Sequence, residues 1–424
     1  MRARCTLQFG MGIRPESKSR KEASMSRPIF ISAGEPSGDQ HGAALLKALR
    51  QRDPGLSAIG FGGPRLQEAG AHLLADLTAH AVMWFSRPLA QLNRFVNFYR
   101  MAVEAFRSQR PRAVILIDYP GFHWHLARAA KECGIPVLYY GPPQIWAWAS
   151  WRVKKLRRWV DRTFCWLPFE APWLEKQGCP VTYVGHPFFD EAAAHPVDQS
   201  FLDRYRTTRP LLAILPGSRD QEVSANGALM LRTVAHLRHK VPDLHVVVAA
   251  FRPEQANRIK TLAESMHLPI EVFAGKTLEL IQAADCCLAV SGSVSLELLY
   301  HEKPTVIVYR IGRAAYHVQS WLRRVKYITL VNLLAFGGEN AAELAPCDQK
   351  TPPPEEALFP EFLTYRDCSQ EVANHLERWL TDMSARNAVV EQLQQLKARL
   401  NWQGAVDSAA EAIDSFIMAS SRPE

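Results

Sequence analysis

The sequence predicts an α/β protein of two domains, each built on a parallel sheet, followed by a helical tail. Apolar runs alternate with helical patterns from residue 28 to about residue 190, and the same rhythm restarts near residue 210. This alternation is typical of β-α-β units. Beyond residue 369, apolar residues recur at helical spacing instead. We therefore expect two Rossmann-like domains facing a cleft, with helices at the C-terminus.

The length of 424 residues is sufficient for two full hydrophobic cores. A link with proline and acidic residues follows His195, so the predicted domains are 28–195 and 206–368, with C-terminal helices at 369–424. Residues 1–27 form a basic extension without the apolar core of a signal peptide. We expect this extension to be disordered or, because Met25 lies just before the first strand, to precede the true start.

Charge and cysteine usage narrow the function classes. The extension holds seven basic and two acidic residues, so it carries +5 of the net charge of +8 and leaves +3 for the body. That small charge, without a continuous basic stripe, argues against nucleic-acid binding. No apolar stretch approaches the length that crosses a bilayer. The eight cysteines include no CxxC pair, which argues against a zinc site or a disulfide framework and for a reducing cytoplasm.

The first functional signal is the stretch GEPSGD, which follows a predicted strand and precedes a helical pattern that begins at Gly42. Strand-to-helix turns are where α/β sheets bind ligands. A phosphate-binding turn would place lysine after its last glycine, whereas here Asp39 follows Gly38 and Glu35 precedes it. Two carboxylates repel phosphate, so the turn favours a hydroxyl-bearing substrate. The alternative is that Asp39 and Ser37 merely cap the following helix.

Two turns in the second half have the opposite character. In LPGSRD a buried strand ends where backbone N–H groups, a hydroxyl and the Arg219 guanidinium converge, which suits a diphosphate. In AVSGSVSLE another strand ends in a turn, and Glu297 lies one helical turn further on, where it can accept hydrogen bonds from a ribose diol. The first turn alone is also explained by a serine cap with a surface arginine, but together the turns make a nucleoside diphosphate sugar the expected ligand. The predicted donor-site residues are Gly217, Ser218, Arg219, Ser291, Gly292, Ser293, Glu297 and Asn332.

Beyond these turns, a series of motifs occurs in an order that resembles the lipid-A-disaccharide synthase family. Between about residues 28 and 336 they read AGEPSGDQHGA, IDYPGF, QIWAWASWRVKKLRRWVDR, LPFE, VGHPFFD, LPGSRDQEV, SGSVSLE and VNLLA. The resemblance implies the GT-B arrangement and an inverting glycosyltransferase. Its donor would be UDP-2,3-diacylglucosamine and its acceptor 2,3-diacylglucosamine 1-phosphate, giving the β-1,6 disaccharide of lipid A and UDP. The resemblance further implies that no metal or other cofactor is needed, and that the protein is a homodimer with exchanged C-terminal segments.

That chemistry requires a base for the acceptor 6-hydroxyl and positive groups for the departing diphosphate. Asp118 ends the predicted strand AVILID at the carboxyl edge of the sheet, and it ranks first as the base, ahead of Asp39 and Glu35. The alternative role of Asp118 is to form the turn before Tyr119. The residues assigned to the acceptor side are Ser37, Gly38, Trp146 and Trp148.

Lipid substrates also account for an aromatic and basic segment, VMWFSRPLAQLNRFVNFYRMAVEAF, which we expect to contact an anionic membrane surface. The residues assigned to this contact are Trp84, Phe85, Phe95, Arg94 and Arg100. The alternative is a core helix whose arginines face water, and for the tryptophans between residues 146 and 159 packing is an equally strong interpretation. The predicted location is the cytoplasm, peripheral on the inner face of the cytoplasmic membrane.

Some positions depart from the family pattern and bear on the acceptor. Trp84 and Arg87 replace a small glycine and an acid, Gly121 and His123 stand where Asp-Phe-Asn is common, and a proline-rich insertion follows NLLA. Two related enzymes are alternatives: a transferase acting on a peptidoglycan precursor, whose acceptor loop would be glycine-rich, and an epimerase acting on UDP-N-acetylglucosamine. A non-enzymatic lipid-binding or nucleic-acid-binding module is the alternative from another class.

Overall fold

The computed structural model describes residues 27–81, 88–205, 210–323, 325–336 and 357–420, excluding the side chains of 80, 81, 88–92, 148 and 322. Packing divides the chain into two compact units. The first comprises the described residues up to Tyr140 with 159–161 and 410–420, and the second comprises 141–158 and the described part of 162–409. Trp84, Phe85 and Arg87, residues 1–26 of the basic extension and the proline-rich insertion up to residue 356 lie outside the described residues.

The first unit alternates strands and helices along the chain. Its elements are β1 (Ile29–Ala33), α1 (Pro36–Arg52), β2 (Ala58–Gly62), α2 (Pro64–Glu68), β3 (His72–Asp76), α3 (Thr78–Ala81), α4 (Pro88–Gln109), β4 (Val114–Ile117), α5 (Pro120–Glu132) and β5 (Val137–Tyr140). The strands are parallel and lie in the order β3-β2-β1-β4-β5. β1 and β4 are buried along their whole length, as expected for central strands with helices on both faces. The order reverses between them, which defines a ligand-binding crevice at their carboxyl ends.

The second unit repeats the pattern around a six-stranded sheet. Its elements before the C-terminal helices are α6 (Ile145–Trp148), a 3₁₀ turn (Ser150–Arg152), α7 (Val153–Trp159), β6 (Arg162–Cys165), α8 (Glu170–Lys176), β7 (Val181–Tyr183), α9 (Phe188–Ala194), α10 (Gln199–Tyr205), β8 (Leu211–Leu215), α11 (Asp220–Arg238), β9 (His245–Ala250), α12 (Pro253–Ser265), β10 (Glu271–Ala274), α13 (Thr277–Ala283), β11 (Cys286–Ala289), α14 (Val294–Tyr300), β12 (Thr305–Arg310), α15 (Arg313–Leu322), α16 (Leu330–Phe336) and β13 (Glu361–Thr364). Six parallel strands take the order β10-β9-β8-β11-β12-β13. β6 and β7 pair in parallel with each other.

Three helices complete the described chain. They are α17 (Ser369–Thr381), α18 (Met383–Leu400) and α19 (Ala405–Ser420). α17 packs on α11 through a cluster that includes Val234, Val372 and Leu376. Asp382 caps α18 by accepting hydrogen bonds from two backbone N–H groups of its first turn. The part of α19 from residue 410 onward belongs to the first unit.

The predicted fold class is confirmed: the chain forms two parallel-sheet α/β domains and ends in helices. One local prediction is wrong, because α1 begins at Pro36 rather than at Gly42. Proline suits the first helical position, where its missing N–H group costs nothing. Ser37, which is exposed, and Gly38, which is buried, therefore lie in the first helical turn rather than in a loop. Within the described ranges, no helix combines the length and apolarity required to cross a bilayer.

Candidate active site

Two strand-end crevices hold most of the predicted functional residues, one in each unit. In the first unit, β1 leads into Gly34 and Glu35, and the adjacent β4 leads into Asp118. In the second unit, β8 leads into the PGSR turn, and the adjacent β11 leads into the turn Ser291–Ser293. Each pair of strands flanks the point where the strand order of its sheet reverses. The predicted turns therefore meet at the ligand-binding edge of their own sheet.

Asp118 and Tyr119 have an unusual backbone conformation. Their φ angles are 48° and 47°, in the left-handed region that residues other than glycine rarely adopt. Such conformations cost on the order of 1–3 kcal/mol per residue, and they cluster at functional sites. Gly34 accommodates the turn, because a Cβ atom at this position would lie 2.2 Å from the Tyr119 ring. The first glycine of GEPSGD is thus required by the packing of the turn after β4.

A hydrogen-bond network holds the backbone of Asp118 in place. Its carbonyl oxygen accepts hydrogen bonds from the Tyr139 hydroxyl at 2.6 Å and from Nδ1 of His123 at 2.7 Å. Nδ1 must carry the proton because a carbonyl oxygen can only accept. Burial lowers the pKa of His123 to about 4, so the ring is neutral and its Nε2 accepts from the Ser32 hydroxyl at 2.9 Å. Residues of β1, α5 and β5 therefore fix one peptide group.

The Asp118 carboxyl group has the electrostatics of a general base. Loss of solvation raises its pKa to about 6, assisted by the negative charge of Glu35, while a hydrogen bond from the Tyr119 backbone and the charge of His41 act in the opposite direction. Burial and Glu35 likewise raise the pKa of Tyr119 to about 12, so its hydroxyl stays protonated at neutral pH. A carboxylate with a pKa near neutrality accepts a proton more readily than an ordinary one. The structure thus brings together Asp118 and Glu35, which come from separate motifs.

Asp39 occupies a different environment. Its side chain is buried and accepts backbone hydrogen bonds from Gly63 at 2.7 Å, Arg65 at 3.0 Å and Leu66 at 3.2 Å. These N–H groups belong to the start of α2, so Asp39 caps a neighbouring helix rather than its own. Both carboxylate oxygens are occupied, which leaves Asp39 less suited than Asp118 to abstract a substrate proton.

The PGSR turn after β8 places the Arg219 guanidinium beside the Glu222 carboxylate. Gly217 has a φ of 113°, and a Cβ atom there would lie 2.5 Å from the Glu222 carboxylate, so glycine is required. Arg219 is the N-cap residue of α11, and its backbone N–H and Nη1 donate to Glu222 at 3.2 and 3.3 Å. The Arg219 side chain remains 63% exposed. Gln255 anchors the turn by donating to the Ser218 carbonyl at 3.0 Å.

The turn after β11 is similarly open. Ser291 donates through Oγ to the Ile328 carbonyl at 3.0 Å, whereas Gly292 and Ser293 are exposed. A Cβ atom on Gly292 would meet nothing within 4 Å among the described residues, so there is room above this turn. Glu297 lies in the helix that follows, and burial raises the pKa of its carboxyl group. The turn is therefore open on the side of Gly292, and a largely buried carboxyl group lies one helical turn deeper.

Asn332 requires a correction. The sequence predicts that its amide lies near a bound base or sugar, but the residue has no exposed surface. Its Nδ2 donates to the Phe359 carbonyl and to Glu361, both at 2.7 Å, and its Oδ1 accepts from the Phe359 N–H at 2.9 Å. The amide therefore makes its hydrogen bonds within the protein, where it joins α16 to the start of β13. Asn332 is therefore a structural residue rather than part of the donor site.

The sequence predicts that the tryptophans of the WAW motif, Trp146 and Trp148, lie on the acceptor side. Trp146 is buried, its indole N–H donates to Glu170 at 3.0 Å, and its ring lies edge-on to Phe169 with centroids 4.9 Å apart. Packing rather than membrane exposure thus accounts for Trp146. The side chain of Trp148 lies outside the described ones.

The aromatic and basic segment forms helix α4 from Pro88 onward. Phe95 is half-buried, and its ring packs against Phe98 and Phe122 with centroids 6.0 and 5.5 Å apart. Arg94 and Arg100 are exposed. Phe95 therefore belongs to the packing of the first unit, whereas the two arginines present charge on its surface.

Sequence reasoning missed the residues that hold these turns. Among these residues, only Ser32 could have been identified from the sequence, because a hydroxyl inside a strand that is otherwise apolar needs a hydrogen-bond partner. His123 was noted only as a departure from the family pattern. Tyr139 and Gln255 carry no local signal, since their roles depend on which segments the fold brings together.

The fold and its turns define an α/β protein of the two-domain type found among sugar-nucleotide enzymes. The UDP-bound structure of MnaA from S. aureus is similar, with a TM-score of 0.59 and 13% identity over 92% of this chain and 97% of that chain. The glycotransferase of kitacinnamycin also has a TM-score of 0.59, with 15% identity over 92% of this chain and 99% of that chain. At such low identity these likenesses show the fold alone.

Sequence comparison identifies the family. The profile described as "Lipid-A-disaccharide synthetase" matches residues 29–395. A lipid-A-disaccharide synthase from Anaeromyxobacter dehalogenans is 35% identical over 392 residues, which cover 91% of this chain and 96% of that protein. The chain therefore belongs to the lipid-A-disaccharide synthetase family, as the order of its motifs predicts.

Proposed function

We propose that this protein is a glycosyltransferase that joins UDP-2,3-diacylglucosamine to 2,3-diacylglucosamine 1-phosphate. The products are the β-1,6 disaccharide 1-phosphate of lipid A and UDP, and the donor's anomeric configuration is inverted. The observation that carries this proposal is the family match, which extends from residue 29 to residue 395 and so includes the turns of both sheets.

The proposed base is Asp118. Its carboxylate takes the proton of the acceptor 6-hydroxyl while that oxygen attacks the anomeric carbon of the donor. The bond between this carbon and the UDP oxygen breaks, and the electron pair stays on the diphosphate. Attack from the face opposite the leaving group produces inversion, and Asp118 later releases its proton to solvent.

The fixed backbone of Asp118 and its pKa, which is raised to about 6, support this role as the base. Glu35 contributes by keeping that pKa high, and Asp39 by holding the adjoining helix.

The proposed donor site is formed by the turns after β8 and β11. Backbone N–H groups at Gly217 and Ser218, with the Arg219 guanidinium, stabilise the charge that develops on the departing diphosphate. The turn Ser291–Ser293 provides room and further N–H groups. Glu297 accepts hydrogen bonds from the ribose diol, a role that suits a carboxyl group at the start of a helix beside bound phosphate.

The test is to incubate the purified full chain with the two diacylated monosaccharides and to measure UDP release and disaccharide formation. We expect both products in equal amounts, and only when donor and acceptor are present together. UDP release with a peptidoglycan precursor as the acceptor instead, or interconversion of UDP-N-acetylglucosamine without an acceptor, would reassign the chain to one of the two alternative activities. Absence of all three reactions would refute the enzymatic proposal.

We also propose peripheral attachment to an anionic cytoplasmic membrane surface. On α4, Arg94 and Arg100 are exposed beside the partly exposed apolar side chains of Val96 and Met101. Cations near such a surface contribute roughly 1 kcal/mol each. Co-sedimentation with liposomes should increase with the fraction of anionic lipid and decrease in Arg94→Ala/Arg100→Ala. Binding that does not depend on anionic lipid would contradict this attachment.

The family resemblance also leads us to propose a homodimer that exchanges C-terminal segments. Light scattering during size-exclusion chromatography should give twice the monomer mass. A truncation before α19 would then shift the protein towards the monomer. A monomeric full chain would contradict the proposal.

A further inference from the structure

A cavity of about 610 Å³ that opens to solvent lies in the second unit, at the carboxyl edge of the six-stranded sheet. Ser291 follows β11, Ile311 follows β12 and Leu363 lies near the end of β13, and all three line the cavity. Ala315 of α15 and Leu333 of α16 line it as well. Its volume is in the range of small-molecule sites, and this edge is where α/β sheets bind ligands. The cavity therefore continues the crevice that contains the predicted donor turns.

The walls of this cavity suit hydrocarbon better than a nucleotide. Most of the lining side chains are aliphatic or aromatic. The polar groups among them belong to Gln144, Ser291, Gln319 and Arg323, to the Tyr309 and Tyr327 hydroxyls and to the Trp146 indole, whose N–H already donates to Glu170. A uracil ring or a diphosphate would leave many of its polar atoms facing apolar groups, which is unfavourable. A fatty acyl chain loses no hydrogen bonds in such a space and gains by leaving water.

The cavity adjoins both donor turns. Ser291 is the first residue of one turn, and its Oγ donates to the carbonyl of Ile328, another lining residue. Tyr309 also lines the cavity, and it lies close enough to Glu222 and Arg219 of the other turn for their charges to affect its pKa. A sugar nucleotide held by these turns would therefore have apolar space beside its sugar.

One polar group in the cavity wall has an unmet hydrogen bond. Nε of Arg323 is buried and has no hydrogen-bond partner among the described residues. A buried N–H group without an acceptor is unfavourable, and a carbonyl oxygen would satisfy it. Acyl chains are attached to their sugar through an ester or amide carbonyl, so an acylated sugar offers such an acceptor where the chain begins.

We infer that this cavity binds one acyl chain of the UDP-diacylglucosamine donor, with the hydrocarbon against α15 and α16 and the linking carbonyl at Arg323. The inference rests on the proposed function, which supplies the acylated donor. It assigns to the second unit the recognition of a lipid chain in addition to recognition of UDP.

Ala315→Trp tests the inference, because an indole at this lining position would fill part of the cavity. Ala314→Trp is the matched control, since Ala314 is the preceding residue of the same helix and is exposed like Ala315, but it does not line the cavity. Calorimetry would give the dissociation constants of UDP, of a diacetyl donor and of a long-chain donor for the wild type and both variants. Exclusion of two methylenes already corresponds to about a tenfold loss, so we expect Ala315→Trp to weaken long-chain binding by at least about tenfold. Its binding of UDP and of the diacetyl donor should change less than about twofold, as should all three ligands in Ala314→Trp.

Three results would overturn the inference. The first is equal affinity of the wild type for the long-chain and diacetyl donors, and the second is undiminished long-chain binding by Ala315→Trp. The third is a matching loss of UDP affinity in Ala315→Trp, which would make the cavity a nucleobase pocket. Failure of the proposed function is separable, because binding is measured without turnover. If the long-chain pattern is found but no UDP is released with the acceptor, glycosyl transfer is refuted and the acyl site is retained.

Discussion

The turn after β4 in the first unit and the turn after β8 in the second differ in how tightly the protein holds them. Asp118 has a left-handed backbone, a carbonyl oxygen with two hydrogen bonds and a largely desolvated carboxyl group. Arg219 has an ordinary extended backbone, and its side chain is 63% exposed with Glu222 as its ion-pair partner. One turn is rigid and strained, whereas the other ends in a long side chain that is mostly in solvent.

The difference matches what each step of the proposed reaction requires. Proton transfer works only within hydrogen-bond reach, so the position of a base must be fixed before the substrate arrives. A guanidinium can bind a diphosphate from several rotamers, and it gains its strong charge-assisted bonds once the ligand is present. The comparison indicates that the first unit fixes the position of its carboxylate before substrate binds. The second unit provides a positive charge whose position is set when the ligand binds. Substitutions in the two turns should therefore fail in different ways.

The largest effect is expected from Asp118→Asn. The amide is nearly isosteric and keeps the turn, but it cannot accept the proton, so kcat should fall by about 10²–10⁴-fold, the usual contribution of a general base. The UDP dissociation constant, measured by calorimetry, should stay within about twofold because the second unit is untouched. Retention of most of the activity would remove Asp118 from the mechanism.

The pH profile of the wild type sharpens this test. Because the pKa of Asp118 is raised to about 6, the base is unprotonated above that pH and becomes protonated below it. We therefore expect kcat/KM to fall about tenfold per pH unit below about pH 6, a decrease that we call the acid limb of the pH profile. The residual activity of Asp118→Asn should lack this acid limb. A limb near pH 4 would mean that the base is an ordinary exposed carboxylate.

The sequence was sufficient to predict both sheets and the location of both turns, because buried strands produce apolar runs and glycine marks the turns between them. It was not sufficient for the start of α1, where Pro36 belongs to the helix although the pattern around it reads as a loop. Proline restricts the residue before it more than the helix that follows. The first turn of a helix that starts with proline is therefore easily mistaken for loop.

Residues whose roles depend on distant partners were harder to predict. Asn332 looked like a ligand-binding amide, yet its partners are 27 and 29 residues further along the chain. Asp39 looked like a helix cap or a base, and it caps a different helix whose first N–H groups lie more than 20 residues away. Local patterns indicate that a polar group needs partners but not which segments supply them. Candidate residues in the site could therefore be named from sequence, but not sorted into chemical and structural roles.

A smaller effect, confined to the other unit, is expected from Arg219→Ala. Loss of a charge-assisted hydrogen bond of about 1.5–3 kcal/mol should weaken UDP binding by about 10- to 150-fold. The acid limb near pH 6 should remain, because Asp118 is unchanged. Arg378→Ala removes an exposed arginine of α17 and is the control for the loss of one positive charge. Equal weakening in both variants would mean that net charge, rather than contact with the diphosphate, determines UDP binding.

The smallest effect on turnover is expected from His123→Ala, which acts on the rigidity of the first turn rather than on the reacting group. The Asp118 carbonyl would keep the Tyr139 hydroxyl as a donor but lose Nδ1 of His123, so the strained peptide could relax and let water reach the carboxyl group. We expect kcat to fall by only about two- to fivefold, within the energy of one neutral hydrogen bond. The acid limb should move below pH 6 as desolvation is relieved.

Two variants serve as controls. His125→Ala, an exposed histidine of the same helix, should change neither property. His123→Asn can still offer an N–H group to the carbonyl and should restore the limb towards pH 6. A cavity left by the lost imidazole would lower stability in any case, so the position of the limb is the decisive measurement. If activity falls while the limb stays at pH 6 in His123→Ala, the histidine supports folding alone, and the contrast between a rigid turn and an open one would no longer explain catalysis.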